Sequence, residues 1–175
     1  MTQLIYNKKV KLVVPKEEAL QLDSQSKQCN WLYNQLFEAV EKDYHLGKPE
    51  NLLSGRNLRD LVPKIKTMHP FLYKVHLSPL KNAAFRLKDA YERFFDATLD
   101  NQKPHYRSWK KKWFSLFYDE PNKGYKIVDE HTLKLNFGKL TDEEHKEAKK
   151  INKKATKTLS ILVSFSSPFQ LELNE

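Results

Sequence analysis

Cysteine is nearly missing from this chain: Cys29 is the only one. That excludes an intrachain disulfide and any cysteine-rich zinc site, and it suits a reducing compartment. Glycine is scarce too, at four positions, which is too few for a Gly-rich phosphate loop; no GxSxG turn occurs. No apolar run reaches the length that crosses a bilayer. Lys8, Lys9 and Lys11 follow the first residues with no apolar stretch behind them, so no signal peptide is expected. The six histidines show no HExxH or other paired-ligand spacing. Repeats and low-complexity tracts are absent. A cytoplasmic chain without a metal or other cofactor is the resulting expectation.

Acid is the other shortage. Thirty-one Lys and Arg face twenty-two Asp and Glu, a net charge of +9 over 175 residues. An excess of that sign predicts an anionic partner, nucleic acid first and a membrane surface second. Ten Phe, eight Tyr and three Trp supply enough large apolar surface for one core, so wholesale disorder is not expected.

The positive charge is densest from Lys103 to Trp113, KPHYRSWKKKW, with five Lys or Arg in eleven positions among Tyr106, Trp109, Trp113 and His105. Cations neutralise phosphates and aromatic faces stack on bases, so this mixture suits a nucleic-acid groove. The bland alternative is a solvated basic loop whose tryptophans pack into a neighbouring core. Candidate phosphate contacts are Lys103, Arg107, Lys110, Lys111 and Lys112, with Trp109 for stacking; Arg86 and Lys88 are weaker candidates. Trp113, Tyr91, Phe94 and Phe95 read as core.

The order of elements follows from hydrophobic period. Leu4 to Val14 alternates and reads as a strand ended by Pro15, and Lys16-Glu17-Glu18 opens a helix. Cys29, Leu32, Tyr33, Leu36, Phe37, Val40 and Tyr44 form a helical stripe ending near Gly47. On it, Tyr33 and Asn34 read as packing and capping residues. A shorter helix opens at Ser54 and should break at Pro63; another, bearing Ile65 and Met68, should stop at Pro70. Ser78 as N-cap and Pro79 at the first helical position start the clearest helix, with Leu80, Ala83, Ala84, Leu87, Tyr91 and Phe94 in its stripe. Period two returns over Trp113–Tyr118, Leu133–Phe137, Leu159–Phe165 and Phe169–Leu173. Thr141-Asp-Glu-Glu144 is a capping box opening a very polar helix.

A lone N-terminal strand needs partners for its edges, and the C-terminal strands can supply them. The expected fold is therefore α+β: a small β-barrel or curled antiparallel sheet interrupted by an inserted bundle of three to four helices. Residues 1–15 hold the first strand, 16–102 the helical insertion, and 103–175 the remaining strands with a polar helical insertion at 141–156.

Several pieces, in order, resemble the N-terminal recognition lobe of TnpB-type proteins, the transposon-encoded RNA-guided nucleases related to type V CRISPR effectors. Leu12-Val-Val-Pro15 is similar to that family's first strand and turn, and Gln28-Cys-Asn-Trp-Leu-Tyr33-Asn34 to its following helix. Phe71-Leu-Tyr-Lys-Val75 with Ser78–Phe95 resembles the "W-L-x-x-V … A-Y-x-x-F-F" series. Lys103-Pro-His-Tyr-Arg-Ser108 resembles "x-P-x-F-K-S", and Leu133–Leu140 resembles "L-K-L-P-K-L-G". The likeness runs over about residues 4–140.

The resemblance implies contacts with a guide-type RNA scaffold, which is structured RNA, and with the short motif in duplex DNA beside the target. By position, Ser78, Lys81, Asn57 and the neighbourhood of Tyr118 inherit the motif-reading role. The family's nuclease opens with Asp-x-Gly and carries two CxxC pairs. No Asp here is followed by x-Gly, and one cysteine makes no pair. The expected function is a nucleic-acid-binding module that does not cut on its own, in place of an enzyme. The alternative is a regulatory subunit docking on an acidic partner or a separately encoded nuclease chain.

Overall fold

The computed structural model describes residues 9–47, 54–100, 102–108, 110 and 115–166. Its elements run β1 (Leu12–Val13), α1 (Lys16–His45), α2 (Gly55–Met68), a 3₁₀ turn (Pro70–Lys74), α3 (Leu77–Phe95), β2 (Tyr125–Asp129), β3 (Thr132–Lys139), α4 (Asp142–Ile151) and β4 (Thr158–Phe165). The fold is mixed α+β, with helices between strands. The sheet is antiparallel, in the order β1-β4-β3-β2. Among the described residues it is not closed, so it is an open antiparallel sheet and not the barrel form of the expectation.

The long first helix has Glu17 and Glu18 in its first turn and Lys42 and His45 in its last, each set opposing the helix dipole. It ends where Gly47 takes φ 71°, a left-handed conformation that glycine adopts without a steric penalty. Its buried stripe, Cys29, Leu32, Tyr33, Leu36, Phe37 and Val40, packs against Leu58, Val62, Leu72, Leu80, Ala84, Leu87 and Tyr91 to make the bundle core.

Two boundaries differ from expectation. Pro63 does not break α2, which runs through it. Leu58, Val62 and Ile65 are buried on one stripe that spans the proline, while Pro63 itself is exposed. Packing of that stripe outweighs the roughly 3 kcal/mol cost of an interior proline. Ser78 is not the N-cap of α3. His76 is, its ring Nδ1 accepting from the Ser78 backbone N–H at 3.2 Å. Burial holds the His76 imidazole below its ordinary pKa, with nearby lysines adding to the effect and Glu120 opposing it. A neutral ring has the lone pair that this cap needs.

The sheet has its own smaller core of Leu135, Phe137, Ile161 and Val163, against which Val14, Leu22 and Tyr118 pack. A bulge between Asn136 and Gly138 interrupts the β3–β4 register. At that bulge the sheet meets the helices. A Cβ built on Gly138 would lie 2.2 Å from the Tyr73 carbonyl oxygen and 2.6 Å from the Lys74 carbonyl carbon.

α4 is the polar helix expected from the sequence, with its capping box formed and no buried residue. The Lys74 and Lys157 ammonium groups donate to Glu144 and Asp142 and tie it down. The alternation at 115–120 makes no strand: Leu116 and Tyr118 are half-buried and Ser115 and Phe117 exposed, but the stretch has no ladder beyond one Pro121–Tyr125 bridge. The expected strand at Phe169–Leu173 and the first residues of the expected N-terminal strand lie outside the described residues.

Candidate nucleic-acid interface

The extended segment 102–108 lies along one stripe of α1 and runs antiparallel to it. At one end, the Asn30 side-chain amide donates to the Ser108 carbonyl at 2.9 Å. One turn on, Asn34 pairs with the Arg107 backbone twice: its Nδ2 donates to the carbonyl at 2.9 Å and its Oδ1 accepts the N–H at 2.8 Å. The Arg107 guanidinium lies over the Tyr33 ring, 4.6 Å from its centroid. Tyr106 meets Phe37 edge-on at 4.8 Å. At the far end the Lys103 ammonium donates to Glu41 at 2.8 Å and sits 4.8 Å over the Tyr44 ring. Asn30, Tyr33, Asn34, Phe37, Glu41 and Tyr44 recur at threes and fours, so a straight helix presents them all to one extended chain.

The next anchor lies beyond the tryptophans. Arg86 on α3 holds Asn82 through Nε at 2.7 Å and donates through Nη2 to the Ser115 hydroxyl. Burial lowers its pKa, and the Arg107 charge adds to that, which sets the two guanidiniums in one electrostatic neighbourhood. The stretch from Ser108 to Ser115 is thus held at both ends. Lys110 between them is exposed, its backbone N–H donating to the Ser108 hydroxyl at 3.2 Å. Trp109, Lys111, Lys112 and Trp113 lie outside the described residues.

Of the motif-reading candidates, the fold gathers three. Lys81 is 3.6 Å from the Glu120 carboxylate, and Tyr118 lies 5.7 Å from His76, ring to ring, at the start of α3. Ser78 is there as well, but it is 1% exposed and its hydroxyl has no partner among the described residues. The Tyr118 hydroxyl is similarly enclosed, and burial raises its pKa. Asn57 is elsewhere. It is exposed in the first turn of α2, and that turn packs beside Phe85 and Lys88, about two turns along α3 from Lys81. Lys88 itself is paired with Glu92 at 2.6 Å.

Sequence reasoning missed the anchoring residues. Tyr33 packs as expected, but Asn34 does not cap: it stands mid-helix and holds Arg107. The available signal was Asn30 and Asn34, four apart on an otherwise apolar stripe, where asparagine is a poor helix former unless its amide has a task.

Glu41 links this anchor to the core, since the buried Tyr91 hydroxyl also donates to it. Burial alone would raise the Glu41 carboxyl, but the hydrogen bonds from Lys103 and Tyr91 and the Lys103 charge outweigh it, leaving the pKa below its ordinary value. A carboxyl depressed on folding adds stability above its unfolded pKa, and that stability is lost as pH falls through the folded value. Wild type should therefore lose stability relative to Glu41→Gln as pH drops from about 5 towards 3. Urea denaturation across that range reads it, and parallel pH curves for the two proteins would refute the assignment.

Among the described residues, no three His, Cys, Asp or Glu side chains gather as a metal-holding group. No helix among them is long and apolar enough to cross a membrane. Cys29 is buried, and burial pushes its thiol up to about 12. A groove of about 720 Å³ opens between the sheet and the first half of α1, lined by residues such as Leu12, Leu22, Leu116, Tyr125 and Ile127. Asp23 is the charged residue in its lining, so it does not suit phosphate. No family model, curated protein or solved structure matches the chain.

Proposed function

We propose that the chain is the nucleic-acid-binding module of a TnpB-like transposon-associated protein. It contacts guide-type structured RNA and target-flanking duplex DNA and has no cleavage activity of its own. One observation carries this reading: α1 holds the basic aromatic segment extended by backbone-directed asparagines. Within it, the Arg107 guanidinium lies over the Tyr33 ring and the Lys103 ammonium is paired with the Glu41 carboxylate. That ion pair is partly exposed and of the strength that a phosphate can displace. The ordered resemblance to the TnpB recognition lobe supplies the choice of ligands.

Fluorescence anisotropy with a labelled RNA hairpin and a labelled DNA duplex, repeated from about 50 to 300 mM salt, tests the reading. Binding should be strong at low salt and weaken steeply as salt rises. Affinity that is poor at low salt, or insensitive to salt, would overturn it. The second reading, a subunit docking on a separately encoded nuclease chain, has the open apolar groove beside α1 in its favour. Co-purification of such a chain with no salt-sensitive nucleic-acid binding would select it.

A further inference from the structure

A second aromatic and basic surface lies about a quarter-turn round α1 from the asparagine anchor, where residue 31 falls on the helix relative to residues 30 and 34. Trp31 meets His69 edge-on at 4.7 Å and Phe71 edge-on at 4.9 Å, and His69 and Phe71 are 6.0 Å apart. Trp31 packs against the edge of the bundle core, and the cluster around it is only partly covered. Phe71 is 40% and Tyr73 42% exposed on the 3₁₀ turn, and Trp31 and His69 are half-buried. The Lys66 ammonium stands 4.9 Å over the Tyr73 ring. Lys139 follows Gly138, whose backbone is pressed against Tyr73 and Lys74, so this second cation sits beside the same turn.

The electrostatics point one way. Residues 55 to 74 carry five Lys or Arg against one acid, Asp60. Asp60 is paired with Arg59, and Lys74 with Glu144. Lys66 and Lys139 make no ion pair with a carboxylate among the described residues. Burial lowers the Lys66 pKa and the Lys139 charge lowers it further, so the two ammoniums repel each other in one electrostatic neighbourhood. An anion between them removes that repulsion. Aromatic faces beside paired cations provide base stacking and phosphate neutralisation together, which a single strand with unpaired bases can use and a duplex cannot. A protein partner complementary to Lys66 and Lys139 would have to bring acidic groups to rings that favour flat, apolar contacts; a nucleotide strand brings both.

We infer that Trp31, His69, Phe71 and Tyr73, with Lys66 and Lys139, form a binding site for single-stranded nucleic acid, separate from the basic segment at 103–112. The ligand is again nucleic acid, as in the reading above on which this rests, but single-stranded, and the site does not need that segment in order to bind.

The three tryptophans make the test direct. In a Trp109→Phe/Trp113→Phe protein, Trp31 is the only indole. A uridine oligonucleotide of about a dozen residues should quench its emission saturably at low salt. Phe71→Ala or Tyr73→Ala should weaken that binding by roughly tenfold, and Lys66→Gln by several-fold with a shallower salt dependence. Both rings are exposed, so these variants retain the fold, which circular dichroism checks. A duplex of the same length should quench far less. Trp31 emission that does not respond at saturating oligonucleotide, or a response unchanged by Phe71→Ala and Tyr73→Ala, would overturn the site.

The reciprocal protein, Trp31→Phe, reports from Trp109 and Trp113 alone. Quenching there with none at Trp31 removes this inference and leaves the proposed function standing. Trp31 quenching that survives replacement of Arg107, Lys110, Lys111 and Lys112 by Gln supports this site without the other.

Discussion

Replacing Gly138 by alanine should cost about 3 kcal/mol or more of folding stability, which urea denaturation reads as a large fall in midpoint. The reason is geometric. The added methyl would stand 2.2 Å from the Tyr73 carbonyl oxygen, 2.6 Å from the Lys74 carbonyl carbon and 2.9 Å from the Val75 nitrogen. All three are backbone atoms of the 3₁₀ turn, so no flexible side chain can swing aside. Either the β3 bulge or the turn must move, and both are held, the bulge by β4 and the turn by the buried Leu72. The effect should be global, because this contact joins the sheet to the helices.

Gly47→Ala is the natural control. It has φ 71° but no atom within 4 Å of the new methyl, so only the left-handed backbone penalty applies, about 1 kcal/mol. A Gly138→Ala protein as stable as Gly47→Ala would refute the close approach of sheet and turn.

The second large effect is on binding. Converting Arg107, Lys110, Lys111 and Lys112 together to glutamine should lower affinity for both the RNA hairpin and the DNA duplex by about 10²-fold at low salt. The slope of log affinity against log salt should flatten by about one per lost phosphate contact, hence by up to about four. Stability should change little at Arg107, which is anchored through its backbone by Asn34, an anchor that survives the change. Its guanidinium contact with Tyr33 is lost, at a cost of about 0.5–1 kcal/mol. An unchanged slope would mean that these cations do not meet phosphate, and the proposed function would lose its main support.

Much of the fold could be read from residue order, for a simple reason. The buried faces of α1 and α3 follow the period of the helix itself. The stripes Cys29 to Val40 and Leu80 to Tyr91 therefore declare themselves whatever they pack against. The same holds for Leu133–Phe137 and Leu159–Phe165, where period two marks the covered face of a sheet. The α4 capping box is a four-residue signal that needs no tertiary context.

The failures are equally local in origin. β2 escaped notice because its register shifts between Ile127 and Asp129, which puts Val128 beside Ile127 as a second exposed apolar residue and spoils the alternation. Pro63 looked like a break because the stripe that rescues α2 owes its strength to residues on α1 and α3. His76 displaced Ser78 as N-cap because its ring is partly buried there, and burial is decided by what lies alongside. Residues 115–120 alternate as a strand would, yet among the described residues no neighbouring strand offers them a ladder.

By itself, the sequence determined the class of the protein: a basic, aromatic-rich α+β chain with a positive segment at 103–112 and no cysteine framework. Composition and period are properties of the chain alone, so they needed no structure. Only the tertiary structure decided what that segment rests on. Asn30, Asn34 and Glu41 are separated from Ser108, Arg107 and Lys103 by 78, 73 and 62 residues, and hydrogen bonds across such spans leave no periodic trace. The same folding brought Trp31 to His69 and Phe71, and Lys139 to Lys66. A second surface thus arose from residues that, read in order, belong to four different elements.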